Sequence, residues 1–245
     1  MVAIIQARLG STRLPGKVLR LLSGKPLIEH IINRIQTVRE IDRIVLAIPS
    51  AESEKPLEKI AQRMGVECVP GPEEDVLERF IQAGNRCQAE HIIRICGDNP
   101  LIDSTLMQSL ILQHVRENAD YTFCFDPIPL GTGSEIAKLS ALKQIAQKTS
   151  RPAYREHVTT YFHDHPDSFQ IEQVPAPSYL NAKNFRLTID TEKDFHLIDQ
   201  LYQKFDSPSQ SPLNLEEVLN FLTANPKLAS HNADVMQKNW REDLK

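Results

Sequence analysis

Through residue 125 the chain alternates short β-branched runs with stretches in which apolar residues return every three or four positions. The runs Val2–Gln6, 43–48, 67–69, His91–Cys96 and 121–125 read as strands. Between them, Leu27, Ile28, Ile31, Ile32 and Ile35 form one helical stripe behind Pro26, which suits a first helical turn. Residues 54–64 make a second helix closed by Gly65, and 75–89 a third. A fourth runs from an N-cap at Ser104 to about 118. Strand and helix in regular alternation predict an α/β fold, a mostly parallel sheet covered on both faces. Right-handed connections then gather the loops at the carboxyl ends of the strands along one edge, where open α/β sheets bind ligands. Beyond 125 the rhythm loosens: helices are expected over 140–148, 153–163, 192–205 and 215–224, extended chain over 169–174 and 185–189, and a loop over 176–184. The Ser/Pro turn at 207–212 is too near the end to divide the chain, so residues 1–245 are read as one domain, and the charged residues 241–245 as a frayed terminus.

Composition narrows the function. Lys and Arg number 28 against 32 Asp and Glu, a net charge of -4, which argues against general nucleic-acid binding. Phosphate chemistry must come from a local cluster of cations. The four cysteines, Cys68, Cys87, Cys96 and Cys124, contain no Cys-x-x-Cys pair, so zinc-ribbon and thioredoxin-like readings fall away. Arg8 interrupts the short apolar start before it can serve as a signal peptide, and no run approaches the ~20 apolar residues of a membrane span. A cytoplasmic location without membrane partners is expected.

Three segments carry chemistry. The loop after the first strand, Ala7-Arg8-Leu9-Gly10-Ser11-Thr12-Arg13-Leu14-Pro15-Gly16-Lys17, sets three cations, glycines and two hydroxyls between a strand end and a helix. Glycines let backbone N–H groups approach an anion, and Ser11, Thr12 and the cations can reach its oxygens, so the loop reads as a polyphosphate cradle. It is neither a Walker A loop nor a Gly-x-Gly-x-x-Gly turn. The second segment is Cys96-Gly97-Asp98-Asn99-Pro100. A glycine and a proline present Asp98 at the carboxyl edge, fit for Mg²⁺, which takes one or two protein carboxylates and fills its sphere with water and phosphate oxygens. Asp103 reads as a helix-start carboxylate. In the third, Leu187-Thr188-Ile189-Asp190-Thr191-Glu192-Lys193-Asp194, Asp190 is either a helix cap or a second metal carboxylate sharing the edge with Asp98. As a metal pair, the two should stand free of salt bridges to distant Lys or Arg.

The span from Ile4 to Leu19 resembles the opening motif of the cytidylyltransferases that make CMP-activated sugars, the acylneuraminate and 3-deoxy-manno-octulosonate enzymes, and most of all the branch called spore coat polysaccharide biosynthesis protein F. Gly97-Asp-Asn-Pro-Leu-Ile102 is similar to that family's Gly-Asp-x-Pro-Leu segment, and Asp190-Thr-Glu-Lys-Asp194 to its Asp-Thr-x-x-Asp segment. The segments beginning at Gly71 and Arg155 also match the spore-coat branch. The resemblance implies a three-layer nucleotide-diphospho-sugar transferase fold of the GT-A type. Residues 1–120 would bind nucleotide; residues 121–245 would bind sugar and form a homodimer, chiefly through 121–174. It implies CTP and a sugar as substrates. Arg8, Arg13 and Lys17 would hold the triphosphate, with Gln6, Ala7, Pro49 and Ser50 around the base, and Gly10, Ser11 and Thr12 along the phosphates. Asn99, Glu135 and His157 would line the sugar site, and Asp98 and Asp190 would hold Mg²⁺.

The reaction so implied is attack of a sugar hydroxyl on the α-phosphate with in-line departure of pyrophosphate, stabilised by Lys17, Arg8, Arg13 and the metal. The rivals are a sugar-phosphate nucleotidyltransferase using another triphosphate and a glycosyltransferase of the same fold. No Asp-x-Asp metal motif is evident to favour the latter.

Overall fold

The computed structural model describes residues 1–181, 184–206 and 212–237. In chain order the first elements are β1 (Val2–Gln6), the small hairpin β2 (Leu21–Leu22) and β3 (Lys25–Pro26), and α1 (Leu27–Ile35). There follow β4 (Arg43–Pro49), α2 (Lys55–Met64), β5 (Glu67–Gly71), α3 (Val76–Arg86), β6 (His91–Cys96) and α4 (Ser104–Glu117). The remainder is β7 (Tyr121–Cys124), β8 (Glu135–Lys138), α5 (Leu139–Lys148), α6 (Pro152–Glu156), α7 (Thr160–Asp164), β9 (Ile171–Val174), α8 (Glu192–Phe205), α9 (Leu215–Ala224) and α10 (Pro226–Ala229).

Seven of these strands form one sheet in the order β5-β4-β1-β6-β8-β7-β9. β1 pairs in parallel with β4 and β6, β4 with β5, and β7 with β9; β8 alone runs against its neighbours β6 and β7. The mostly parallel mixed sheet expected from the alternation is therefore present. Side chains alternate across it. Ala3, Ile5, Leu46, Ile48, Ile93 and Ile95 pack under α1, α2, α4, α8 and α9, while Val2, Ile4, Val45, Ala47 and Ile92 pack under α3, α5 and α7. Helices on both faces give three layers. No helix among the described residues is long and apolar enough to cross a membrane.

Four expectations need correction. β8 was not foreseen: four residues, half of them polar, offer too short a pattern. The extended stretch 185–189 is not a strand. It makes one isolated bridge, Leu130 to Arg186, and otherwise lends main-chain groups to loops. The helix expected over 153–163 is two short helices, because the β-branched Val158, Thr159 and Thr160 follow a break at His157. The N-cap of α4 is Asp103, whose carboxylate accepts from Leu106 N at 2.6 Å, not Ser104. The Ser/Pro turn falls outside the described residues except for Pro212, and the tail 241–245 entirely so.

Candidate active site

The loops after β1 and β6 meet at the carboxyl edge. Gly97 N donates to Gln6 O at 2.8 Å, and a Cβ on Gly97 would stand 2.8 Å from that oxygen and 3.0 Å from Ala7 Cβ, so only glycine admits this approach. The cation-bearing loop folds back on itself, with Ser11 N and Gly16 N both donating to Leu9 O. Its anchor is Glu54, 4% exposed, whose two carboxylate oxygens accept from Leu9 N at 3.0 and 3.2 Å. Burial raises the Glu54 pKa, opposed by that backbone hydrogen bond. The sequence reading saw Glu54 only as a helix start.

At the end of the loop Lys17 turns inward. Its Nζ donates to Asp98 Oδ2 at 2.8 Å, to Asp190 Oδ1 at 3.0 Å and to Ile189 O at 2.7 Å. Two carboxylates 92 positions apart in sequence thus reach one ammonium, and these oxygens lie at most roughly 6 Å from each other. Burial pulls the Lys17 pKa down, but the two carboxylates outweigh it and the net shift is upward. The expectation that Asp98 and Asp190 stand free of distant cations is therefore wrong: a pair of carboxylates held this close needs a counter-charge. Arg13 adds a second, with its guanidinium 2.9 Å from Asp190 Oδ1.

Behind Asp190 lies a support that the sequence reading missed. Arg186 donates to Asp190 Oδ2 at 2.7 Å and to Asp194 Oδ1 at 2.8 Å. Asp194, with no exposed surface, also accepts from the main chain of Asp190 and Thr191 and from Asn232. In sequence, the polar Arg186, Thr188 and Asp190 alternate with the apolar Leu187 and Ile189, and that period of two was the signal available for placing Arg186 on the side of Asp190. Ile189 N in turn donates to Asp98 O at 2.9 Å, so main chain as well as side chains joins the two carboxylate loops.

The other expected residues are spread along the same edge. Arg8 is half-exposed and pairs with Glu156, 3.9 Å distant. Gly10, Thr12 and Arg13 are exposed. Pro49 and Ser50 line a hollow of about 430 Å³ with Gly71, Pro72, Glu73 and Gln82. Glu73 Oε1 lies 3.8 Å from where a Cβ on Gly10 would sit, so this hollow adjoins the cation-bearing loop. A hollow of about 470 Å³ near Ile35, Asp42 and Glu67 lies at the opposite edge, away from the carboxylates. Asn99 is half-buried in the turn after Asp98, and His157 half-buried at the end of α6. Glu135 is engaged on both oxygens: Arg94 and Thr159 each donate at 2.8 Å, and Tyr121 donates its hydroxyl. Burial would raise the Glu135 pKa, but Arg94 and the hydroxyl donors reverse this and keep it ionised. Arg94 also donates to Gln6 Oε1 at 3.3 Å, linking Glu135 to the end of β1.

The donor set suits a divalent metal. Two carboxylate oxygens converge on one cationic nitrogen, as Mg²⁺ would require of a protein, leaving other positions to water and phosphate. Among the described residues no group of three or more His, Cys, Asp or Glu is arranged to hold a metal by itself.

Comparison with known proteins points one way. The sequence model of the cytidylyltransferase family matches residues 2–220. The spore coat polysaccharide biosynthesis protein SpsF of Bacillus subtilis is 35% identical over 93% of this chain and 95% of its own length. A 3-deoxy-manno-octulosonate cytidylyltransferase of Geobacter sulfurreducens is 32% identical over 45% of this chain and 44% of its own. The solved structure of a cytidylyltransferase from Leptospira borgpetersenii superposes with a TM-score of 0.87 at 23% identity, over 97% of this chain and 99% of that one.

Proposed function

This chain belongs to the cytidylyltransferase family, and from that premise we propose that it transfers CMP from CTP to an acidic sugar, releasing pyrophosphate, in the synthesis of a cell-surface polysaccharide. The observation that carries the reading is the convergence of Lys17, Arg13, Asp98 and Asp190 beside a loop of exposed glycine, hydroxyl and guanidinium groups. In it, Gly10, Ser11, Thr12, Arg8, Arg13 and Lys17 receive the triphosphate, with Gln6, Ala7, Pro49 and Ser50 beside the base. Asp98 and Asp190 hold Mg²⁺, which when bound neutralises charge that builds on the phosphate oxygens. The cations orient the α-phosphate and stabilise the departing pyrophosphate, while Glu135, kept ionised, supports the sugar site with Asn99 and His157. Residues 1–120 serve the nucleotide and 121–245 the sugar.

A grid of four triphosphates against eight- and nine-carbon sugar acids and sugar phosphates, read by pyrophosphate release, tests this. CTP with a sugar acid should give turnover that Asp98→Asn abolishes without loss of folding. Release with UTP and a sugar phosphate would move the assignment to the rival nucleotidyltransferases. Consumption of a finished nucleotide-sugar without pyrophosphate would make it a glycosyltransferase.

The same reading includes a homodimer through 121–174. β9 lies at one margin of the sheet, and within 121–174 the apolar Phe125 and Leu130 are exposed. Light scattering at micromolar concentration should report twice the chain mass; a monomer there refutes the arrangement.

A further inference from the structure

Lys17 is committed more completely than a phosphate ligand need be. An ammonium has three protons, and all three are donated within the protein, to Asp98, Asp190 and the Ile189 carbonyl. Its side chain is 11% exposed. A phosphate can take a hydrogen bond from it only if one of these is released. The two carboxylates it holds are the ones given above to the metal. Around them, Lys17, Arg13 and Arg186 already balance Asp98, Asp190 and Asp194. A divalent ion entering this cluster alone would have to displace the ammonium and approach an Asp190 that two guanidinium groups already contact.

We propose that Lys17 is an internal substitute for the metal: without nucleotide its ammonium occupies the place between Asp98 and Asp190 and excludes a divalent ion, and a triphosphate, by drawing the ammonium and Arg13 onto its oxygens, opens the pair to the metal. The inference rests on the reading of Asp98 and Asp190 as metal carboxylates. It makes nucleotide and metal bind with positive coupling, which by linkage is the same in either order. It also spares the free protein a buried and a half-buried carboxylate repelling each other across a short gap.

The probe is Mn²⁺ alone, followed by the electron-spin resonance of the free ion, on the full chain without nucleotide. Lys17→Gln should bind Mn²⁺ at least about tenfold more tightly than the unaltered protein, since a charge-assisted competitor is gone. Lys17→Arg should stay weak, and adding Asp190→Asn to Lys17→Gln should erase the gain. A Lys17→Gln variant that is folded by its thermal midpoint and binds Mn²⁺ no more tightly overturns the proposal. Should that variant not fold, lysine ammonium NMR of the unaltered protein decides. One slowly exchanging ammonium should persist with Mg²⁺ alone and lose its protection with Mg²⁺ and CTP together; loss with Mg²⁺ alone overturns the proposal. If Asp98→Asn and Asp190→Asn leave the metal requirement of transfer unchanged, the metal reading fails and this inference with it. If they abolish transfer while Lys17→Gln gains no Mn²⁺ affinity, the inference alone fails.

Discussion

Asp190 pairs with three cations on two oxygens, and burial ranks them. The Arg186 side chain is 9% exposed and also holds the fully buried Asp194; the Arg13 side chain is 42% exposed and, among the described residues, pairs with Asp190 alone. Removing one partner of a buried pair strands a charge, at about 3–5 kcal/mol. Losing an exposed pair costs below about 1 kcal/mol. In urea unfolding, Arg186→Met should therefore destabilise by about 3–5 kcal/mol, whereas Arg13→Ala should barely move the midpoint while weakening CTP binding. Equal costs would mean that Arg186 is not the support for Asp190 described here. Arg8, though in the same loop, stands apart from this group, beside Glu156.

At the scale of elements, α4 shows how a small local difference decides a boundary. Asp103, 4% exposed, accepts from Leu106 N at 2.6 Å and from the Tyr179 hydroxyl at 2.8 Å, so it caps the helix and ties down a loop. Asp103→Ala should cost about 2 kcal/mol and Ser104→Ala less than about 0.5 kcal/mol; chemical unfolding separates them, and the reverse order would restore Ser104 as the cap. The parallel strands and their helices were legible because each carries a period long enough to read: five buried apolar positions in α1, continuous runs in β1 and β4. β8 and the 185–189 stretch were not, because both owe their form to partners remote in sequence. Gly131 makes the point. At φ +94°, a Cβ there would lie 2.7 Å from Thr188 N, so this loop is shaped by the 185–189 stretch, more than fifty residues away. Asp98 and Asp190 could be proposed as partners from motif and edge alone; the ammonium between them could not, since no spacing rule says where a lysine ten residues beyond the start of a loop will fold to.

Over the whole molecule, titratable groups also meet at the amino edge of the sheet, opposite the carboxylates. Near the amino edge His91, the first residue of β6, meets His114 of α4 at 3.1 Å, and His114 meets Thr122 of β7 at 2.7 Å. Glu90, Asp120, Lys138 and the N-terminus are the charges facing this pair. Burial, with the neighbouring His91 and Lys138, lowers the His114 pKa from 6.5 to about 3. A base whose folded pKa is depressed takes up its proton more readily when unfolded, so stability is intact above about pH 6.5 and declines as pH falls toward 3. At pH 5 the loss attributable to His114 is up to about 2 kcal/mol relative to pH 8. Unfolding midpoints at both pH values should show it, and His114→Gln should flatten the slope; an unchanged slope would place the acid sensitivity elsewhere.

The reversed direction of β8 has its own consequence. Because β7 runs with β6 and β8 against it, the connection over 125–134 leaves and re-enters the sheet at the carboxyl edge, delivering Glu135 beside Arg94. Closing a flexible loop becomes only about 0.6 kcal/mol harder for each doubling of its length. This connection is not free to vary in that way, because Asp103 N donates to Thr132 O at 2.8 Å and Leu130 bridges Arg186, which ties it to the stretch that leads into Asp190. A chimera carrying a relative's 125–134 segment therefore has to bring a matching 185–189 stretch with it if Asp190 is to keep its place beside Lys17.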